Sequence, residues 1–281
     1  MSYFKTSLAT LQALAQHGRH EDVAGFLVLA RHASGLQHAG FEPYKLSGAG
    51  VNSVHEKAGL SEEVARGVIQ RLQQQGVIRP TSPETRRAFH HARWEMLQGP
   101  LDLALPQALV DSAKGGCMDS ALQRLKKHRI AAPAYARALK PVSDTELRLD
   151  ALMLLVALYA QTSMCRFGGV SPHCISRPWQ VLSQSHKLGS VRWGAQPVKE
   201  KNVLSNTLFM ASSLPHIATG RDGELSDLHE TRFWNAWHTI HDTGLVYEAR
   251  RATPACCARP MRASAGSSAS TRRAMNGSPR P

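Results

Sequence analysis

The spacing of apolar side chains marks out a series of short helices in the first third of the chain. Between Ser7 and Gln16, Leu8, Leu11, Leu14 and Ala15 recur at three- and four-residue intervals. Between Glu21 and His32, Val23, Phe26, Leu27 and Ala30 do the same, and the first turn carries two acids. Both stretches predict core-forming helices. The segment 50–80, GVNSVHEKAGLSEEVARGVIQRLQQQGVIRP, is more informative. Val51–Ala58 predicts a short helix halted by Gly59, a residue free to take the left-handed conformation of a tight turn. Ser61 then caps a second helix, and Glu62 and Glu63 sit near its positive end. Val64, Ala65, Val68, Ile69 and Leu72 form its expected buried stripe. Gln75-Gly76 ends that helix, and Val77–Pro80 predicts a strand. Thr81–Thr85 carries turn chemistry, and Arg86–Met96 is expected to return as a second strand.

Two helices crossing at Gly59, with Val54, Ala58 and Leu60 inside the turn, resemble the helix-turn-helix superfamily. Helix, turn, helix and basic hairpin together resemble a winged-helix domain. The resemblance implies a mainly α fold with small β-hairpin wings, and double-stranded DNA as partner. Ser61, Arg66, Gln70 and Arg71 would then face the groove beside Glu62 and Glu63. Arg86 and Arg87 would sit on the wing, within reach of phosphates or a minor groove. His55 departs from the pattern, because the superfamily favours a small residue there. The two acids are an objection to DNA contact, since a carboxylate accepts from cytosine N4 but repels phosphate. They leave open a protein-docking role.

The end of this unit recurs. A shift of 168 residues aligns Ala65, Val68, Ile69, Leu72, Gly76, Val77 and Ile78 with Phe233, Ala236, Trp237, Ile240, Gly244, Leu245 and Val246. Upstream, Ser143–Thr162 predicts a long helix with Ser143 and Glu146 as a capping box. The expected organisation is therefore an N-terminal winged-helix domain over 1–100 and a connector over 101–142. A second winged-helix-like domain follows over 143–248, with an insertion between its helices (172–229). A tail covers 249–281. The connector carries a short helix near Asp119–His128 and the basic run Arg124–Arg129. The returning strand of the second wing is missing, because the pattern stops at Glu248.

Composition changes this picture mainly at that tail. The 281 residues hold 34 Lys+Arg against 21 Asp+Glu, a net +13 with pI ≈ 10.0. Seven of the arginines, and no acid, follow Ala249; the rest of the chain has 27 basic to 21 acidic residues, or +6. No Leu, Ile, Val, Phe, Tyr or Trp follows Tyr247, so the segment is expected to stay disordered. Two readings stand for it: a basic arm on DNA phosphates, or a shifted frame or truncated C-terminus in GC-rich DNA.

The longest apolar run, Ala151–Ala160, is about half a membrane span. With no apolar block at the N-terminus, a cytoplasmic protein is expected. Five irregularly spaced cysteines offer no disulfide framework. Fourteen histidines form no recognisable zinc spacing, and His90 and His91 are expected on opposite faces of a strand. HExxH, GxSxG and GxxxxGK[ST] are absent, so no catalytic residue, metal or cofactor is expected. The leading expectation is a sequence-specific transcriptional regulator that binds double-stranded DNA, with homodimer formation open. Two alternatives are a replication initiator of a plasmid or mobile element, whose two-winged-helix layout this resembles, and a docking adaptor.

Overall fold

The computed structural model describes residues 3–33, 43–112, 119–128, 143–161, 179–184, 193–197, 213–217 and 227–246. Within them the chain is mainly helical with small antiparallel sheets. Strand β1 (Tyr3–Thr6) leads into α1 (Leu8–Ala15), whose N-cap Ser7 accepts a hydrogen bond from the Thr10 amide. Helix α2 (His20–Arg31) buries ten of its twelve residues and forms the centre of the packing. After β2 (Leu46–Ser47) come α3 (Val51–Ala58) and α4 (Glu62–Gln74). The turn between them follows the expected glycine chemistry: Gly59 has φ 65°, and the Leu60 amide donates to the His55 carbonyl at 3.1 Å.

Helices α2, α3 and α4 pack against one another pairwise. Gly25 sets how closely they approach. A Cβ there would lie 2.4 Å from Val68 Cγ1 and 3.5 Å from Val54 Cγ1, so hydrogen alone fits between α2 and α4. His55 does not obstruct this packing. Its exposed ring bonds the Leu60 carbonyl across the turn, while Val54 and Ala58 face inward.

After α4, β3 (Ile78–Pro80) begins where the chain predicts. The return differs from expectation. Pro83–Ala88 forms a helix, α5, and only Trp94–Met96 forms the strand β4. The sequence Ser82-Pro83-Glu84-Thr85 explains the difference. Ser82 Oγ accepts from the Thr85 amide at 3.1 Å, proline occupies the first turn, and Glu84 favours the positive end. Turn chemistry and helix-start chemistry use the same residues here. Arg86 and Arg87 therefore belong to a helix rather than the expected strand. The three strands order β2-β4-β3, with Leu46 opposite Glu95, Ile78 opposite Met96 and Pro80 opposite Trp94.

Strand β5 (Leu103–Pro106) pairs antiparallel with β1, so the start of the expected connector joins the N-terminal strand. Helix α6 (Ala121–Lys127) has a full capping box from Ser120 and Gln123. Helix α7 (Asp144–Gln161) opens on the expected Ser143–Glu146 box. Its apolar block is enclosed on all sides, Ala151 through Val156 being at most 2% exposed. It packs on α1, α2, α6 and β5, and most extensively on α8 (Asp227–Asp242). Between α7 and α8, β6 (Trp179–Gln184) and β7 (Trp193–Pro197) form an antiparallel pair. A continuous set of buried residues runs from Phe4 to Ile240.

One charged cluster lies inside the α7–α8 contact. The fully buried Asp150 carboxylate accepts from Arg232 Nε and a terminal Arg232 nitrogen at 2.7 Å each, and meets His216 Nε2 at 2.7 Å. This arrangement satisfies a carboxylate that could not otherwise be buried.

The recurrence at 168 residues has a local origin. Val77 N donates to Leu72 O at 3.1 Å, and Leu245 N donates to Ile240 O at 2.9 Å. Gly76 and Gly244 both take positive φ, 70° and 65°. The shared signal is a glycine helix stop. After Gly244 the likeness ends, since Leu245 and Val246 are not in a strand. The rest of the expected second wing, the run's end at Arg129, most of 172–229 and the tail 249–281 lie outside the described residues.

Candidate nucleic-acid interface

Helix α4 presents one apolar and one polar face. Ser61 Oγ accepts from the Val64 amide at 3.3 Å, starting the helix as its sequence predicts. Ala65, Val68, Ile69 and Leu72 turn inward, at most 5% exposed. Val64, expected with them, is 39% exposed. At about 100° per residue it lies roughly 90° from the centre of the buried stripe, at its margin. The exposed side carries Glu62, Glu63, Arg66, Gln70 and Gln74.

The expected groove-facing residues divide into two groups. Ser61, Arg66 and Gln70 are exposed on this side. Arg66 pairs with Glu62 at 2.7 Å, one helical turn away, with both side chains 61% exposed. Such a pair is worth about 0.3–0.5 kcal/mol and yields to a stronger anion. Arg71 is committed elsewhere. It bonds the fully buried Asp22 carboxylate of α2 through Nε at 2.9 Å and a terminal nitrogen at 2.6 Å. Removing it would strand a buried charge, so its first role is to fasten α4 to α2.

The segment between β3 and β4 gathers further cations. Arg86 Nε donates to Thr81 Oγ1 at 3.2 Å, and the buried Thr81 hydroxyl donates to the Ala92 carbonyl at 2.9 Å. Arg86 is thereby anchored at one nitrogen while its other donors stay available. Arg87 is exposed beside it. Arg79 is spent on Glu95, at 2.7 and 2.9 Å. Arg93 escaped the sequence reading. It is exposed, and its terminal guanidinium nitrogen lies 2.4 Å from where a Gly50 Cβ would sit, at the N-cap of α3. Among the described residues no ion pair holds Arg86, Arg87 or Arg93. The pattern offered no signal for Arg93, since its neighbour Gly50 is 43 residues away.

Two features hold α3 to its neighbours. Asp111 bonds both Arg31 of α2, at 2.7 Å, and Lys57 of α3. Burial alone would raise its pKa, but those two cations outweigh it and hold the carboxyl below the usual range. Burial pushes the neighbouring His32 down, helped by the charges of Lys57 and Arg31. Helix α6 caps the end of α3: Gln123 Nε2 donates to the Glu56 carbonyl at 2.9 Å and Ser120 Oγ to the Lys57 carbonyl at 3.5 Å.

His90 and His91 lie in a turn, not the expected strand, and their rings meet edge-on with centroids 5.5 Å apart. Among the described residues no group of three or more His, Cys, Asp or Glu side chains could hold a metal ion. Among them also, no helix is long and apolar enough to cross a membrane. Comparison with known protein families, curated proteins and solved structures gives no match.

Proposed function

We propose that this chain binds double-stranded DNA through a winged helix-turn-helix and acts as a sequence-specific transcriptional regulator. The observation that carries this reading is the element order α2-β2-α3-α4-β3-β4 with the sheet order β2-β4-β3. That arrangement holds α4 with its polar side outward and hangs a basic loop from the same sheet. In this reading α4 enters the major groove, where Arg66 bonds guanine O6 and N7 and Gln70 bonds adenine N6 and N7. Arg86, Arg87 and Arg93 meet phosphates and set register without reading sequence.

The salt dependence of binding tests it. In the full chain, each phosphate contact contributes about −0.9 to the slope of log K against log[salt]. Arg86→Ala, Arg87→Ala and Arg93→Ala should each make that slope shallower by about that amount, with sequence preference unchanged. A slope unaffected by all three would refute the interface.

A second reading, docking of a protein partner, draws on one observation. Arg66 and Arg71 are both paired, and among the described residues no ion pair holds Glu63 at the start of α4. Glu63→Gln separates the two: it should strengthen DNA binding and weaken capture of a cationic partner.

A further inference from the structure

We infer that His90 and His91 are two further contacts to the DNA backbone that engage once protonated, so that affinity for DNA rises in mild acid. This rests on the DNA-binding reading above. The two residues form the centre of a β-turn closed by the Ala92 amide, which donates to the Phe89 carbonyl at 2.8 Å. Neither has a positive φ, so the turn accepts most residue types and does not itself require histidine. Both side chains are exposed. Their rings meet edge-on, and the His91 ring also lies edge-on to Phe89 with centroids 6.4 Å apart. Among the described residues no carboxylate pairs with either imidazole, and no ring nitrogen of the two has a hydrogen-bond partner.

The turn is fixed from two sides. The buried Thr81 hydroxyl donates to the Ala92 carbonyl at 2.9 Å and accepts from Arg86 Nε at 3.2 Å, which ties α5 to the turn. Opposite, a Gly48 Cβ would lie 2.9 Å from the His91 carbonyl oxygen, so the turn rests against the segment before α3. That segment meets the His91 ring through uncharged Gly48 alone. Helix α5 contributes Glu84, Arg86 and Arg87, and the approach to β4 contributes Arg93. On the sheet, Arg79 and Glu95 hold each other. Glu84 is the single acid between Thr81 and Trp94.

The imidazoles therefore stand in sequence between the arginines assigned to phosphates, in a segment with little counter-charge of its own. A polyanion supplies it. Histidine changes charge between about pH 5 and 8. A phosphate beside an imidazole favours the charged form, so binding takes up protons. Each protonated ring then displaces a counterion as any other phosphate contact does. The arginines grip the duplex at every pH, and the histidines add to that grip in acid.

The test measures affinity of the full chain for a duplex enriched from a randomised pool, at about pH 8 and about pH 5.5 and at equal ionic strength. The parent should bind about tenfold more tightly at the lower pH. Its slope of log K against log[salt] should steepen there by up to about 1.8 for the two rings. The double variant His90→Gln/His91→Gln should bind as the parent does at the higher pH and lack most of the rise. The double variant His90→Arg/His91→Arg should bind at the higher pH as tightly as the parent does at the lower one. All other titrating groups are common to the three proteins, so the differences belong to this pair. A glutamine variant that keeps the whole rise would overturn the inference, as would an arginine variant no tighter than the parent at the higher pH. Either result leaves the DNA-binding reading intact, whereas a parent chain that enriches no duplex would overturn both.

Discussion

Gly25→Ala is the sharpest test of the three-helix packing that presents α4. The new Cβ would sit 2.4 Å from Val68 Cγ1, whereas carbon atoms pack at about 3.5–4.0 Å. Helices α2 and α4 would have to separate by about 1 Å, or Val68 would have to leave its rotamer. Overpacking of this kind costs about 1–3 kcal/mol, against which alanine returns up to about 1 kcal/mol in helix propensity. The net expectation is a loss of about 1–2 kcal/mol, read as a lower urea midpoint with an unchanged slope. The fully buried Val68 supplies a control. Val68→Ala alone should cost about 2 kcal/mol as a cavity, but combined with Gly25→Ala it removes the atom that clashes. The double variant should therefore be more stable than the sum of the single changes by at least about 1 kcal/mol. Strict additivity, or no loss from Gly25→Ala, would refute the close approach.

Three other expectations follow from the charged contacts. Asp22→Ala, which leaves Arg71 half-buried without its partner, should lower stability by about 2–4 kcal/mol in urea unfolding. Asp150→Ala should cost about 3–5 kcal/mol by the same assay, since both Arg232 and His216 lose their acceptor. Stability should also decline in acid through two carboxyls. Burial alone would raise both, but the His20 ring 3.1 Å away takes Glu21 from 4.5 to about 2, and Lys57 and Arg31 lower Asp111. A folded-state pKa below the unfolded one gives stability that is fully present above the unfolded value. It is lost as pH falls through the folded value, here between about pH 4.5 and 2 for Glu21. Glu21→Gln and Asp111→Asn should each flatten the fall of Tm over that acid range, and unchanged curves would count against these pairings.

What the sequence made legible was local. Ser61 and Ser143 cap the helices that their positions predict, and Gly59 and Gly76 end α3 and α4 as left-handed stops. These features depend on residues a few positions apart, so one chain read in order contains them. Pairings across distance were not legible. Strands β1 and β5 meet across some hundred residues, and β2 is two residues long, too short for any alternation to register. The same limit hid Asp22 as the partner of Arg71, 49 positions away, and so Arg71 was expected at the groove. Helix α5 was hidden for another reason, because serine, proline and an acid serve turns and helix starts equally well. In the second half, the recurrence came from a shared helix stop, which any two helices ending in glycine would produce.

The central claim is that α4 reads a DNA sequence, and parallel selection of duplexes by the full chain and by Gln70→Ala tests it most directly. Gln70 is exposed in the middle of the polar face and bears no charge. Its removal therefore leaves salt-dependent binding alone. The account predicts that the parent enriches a defined site and that Gln70→Ala relaxes one adenine-bearing position, worth about 1–3 kcal/mol, while the others persist. Absence of any enriched site, or the same site selected equally by both chains, would contradict it.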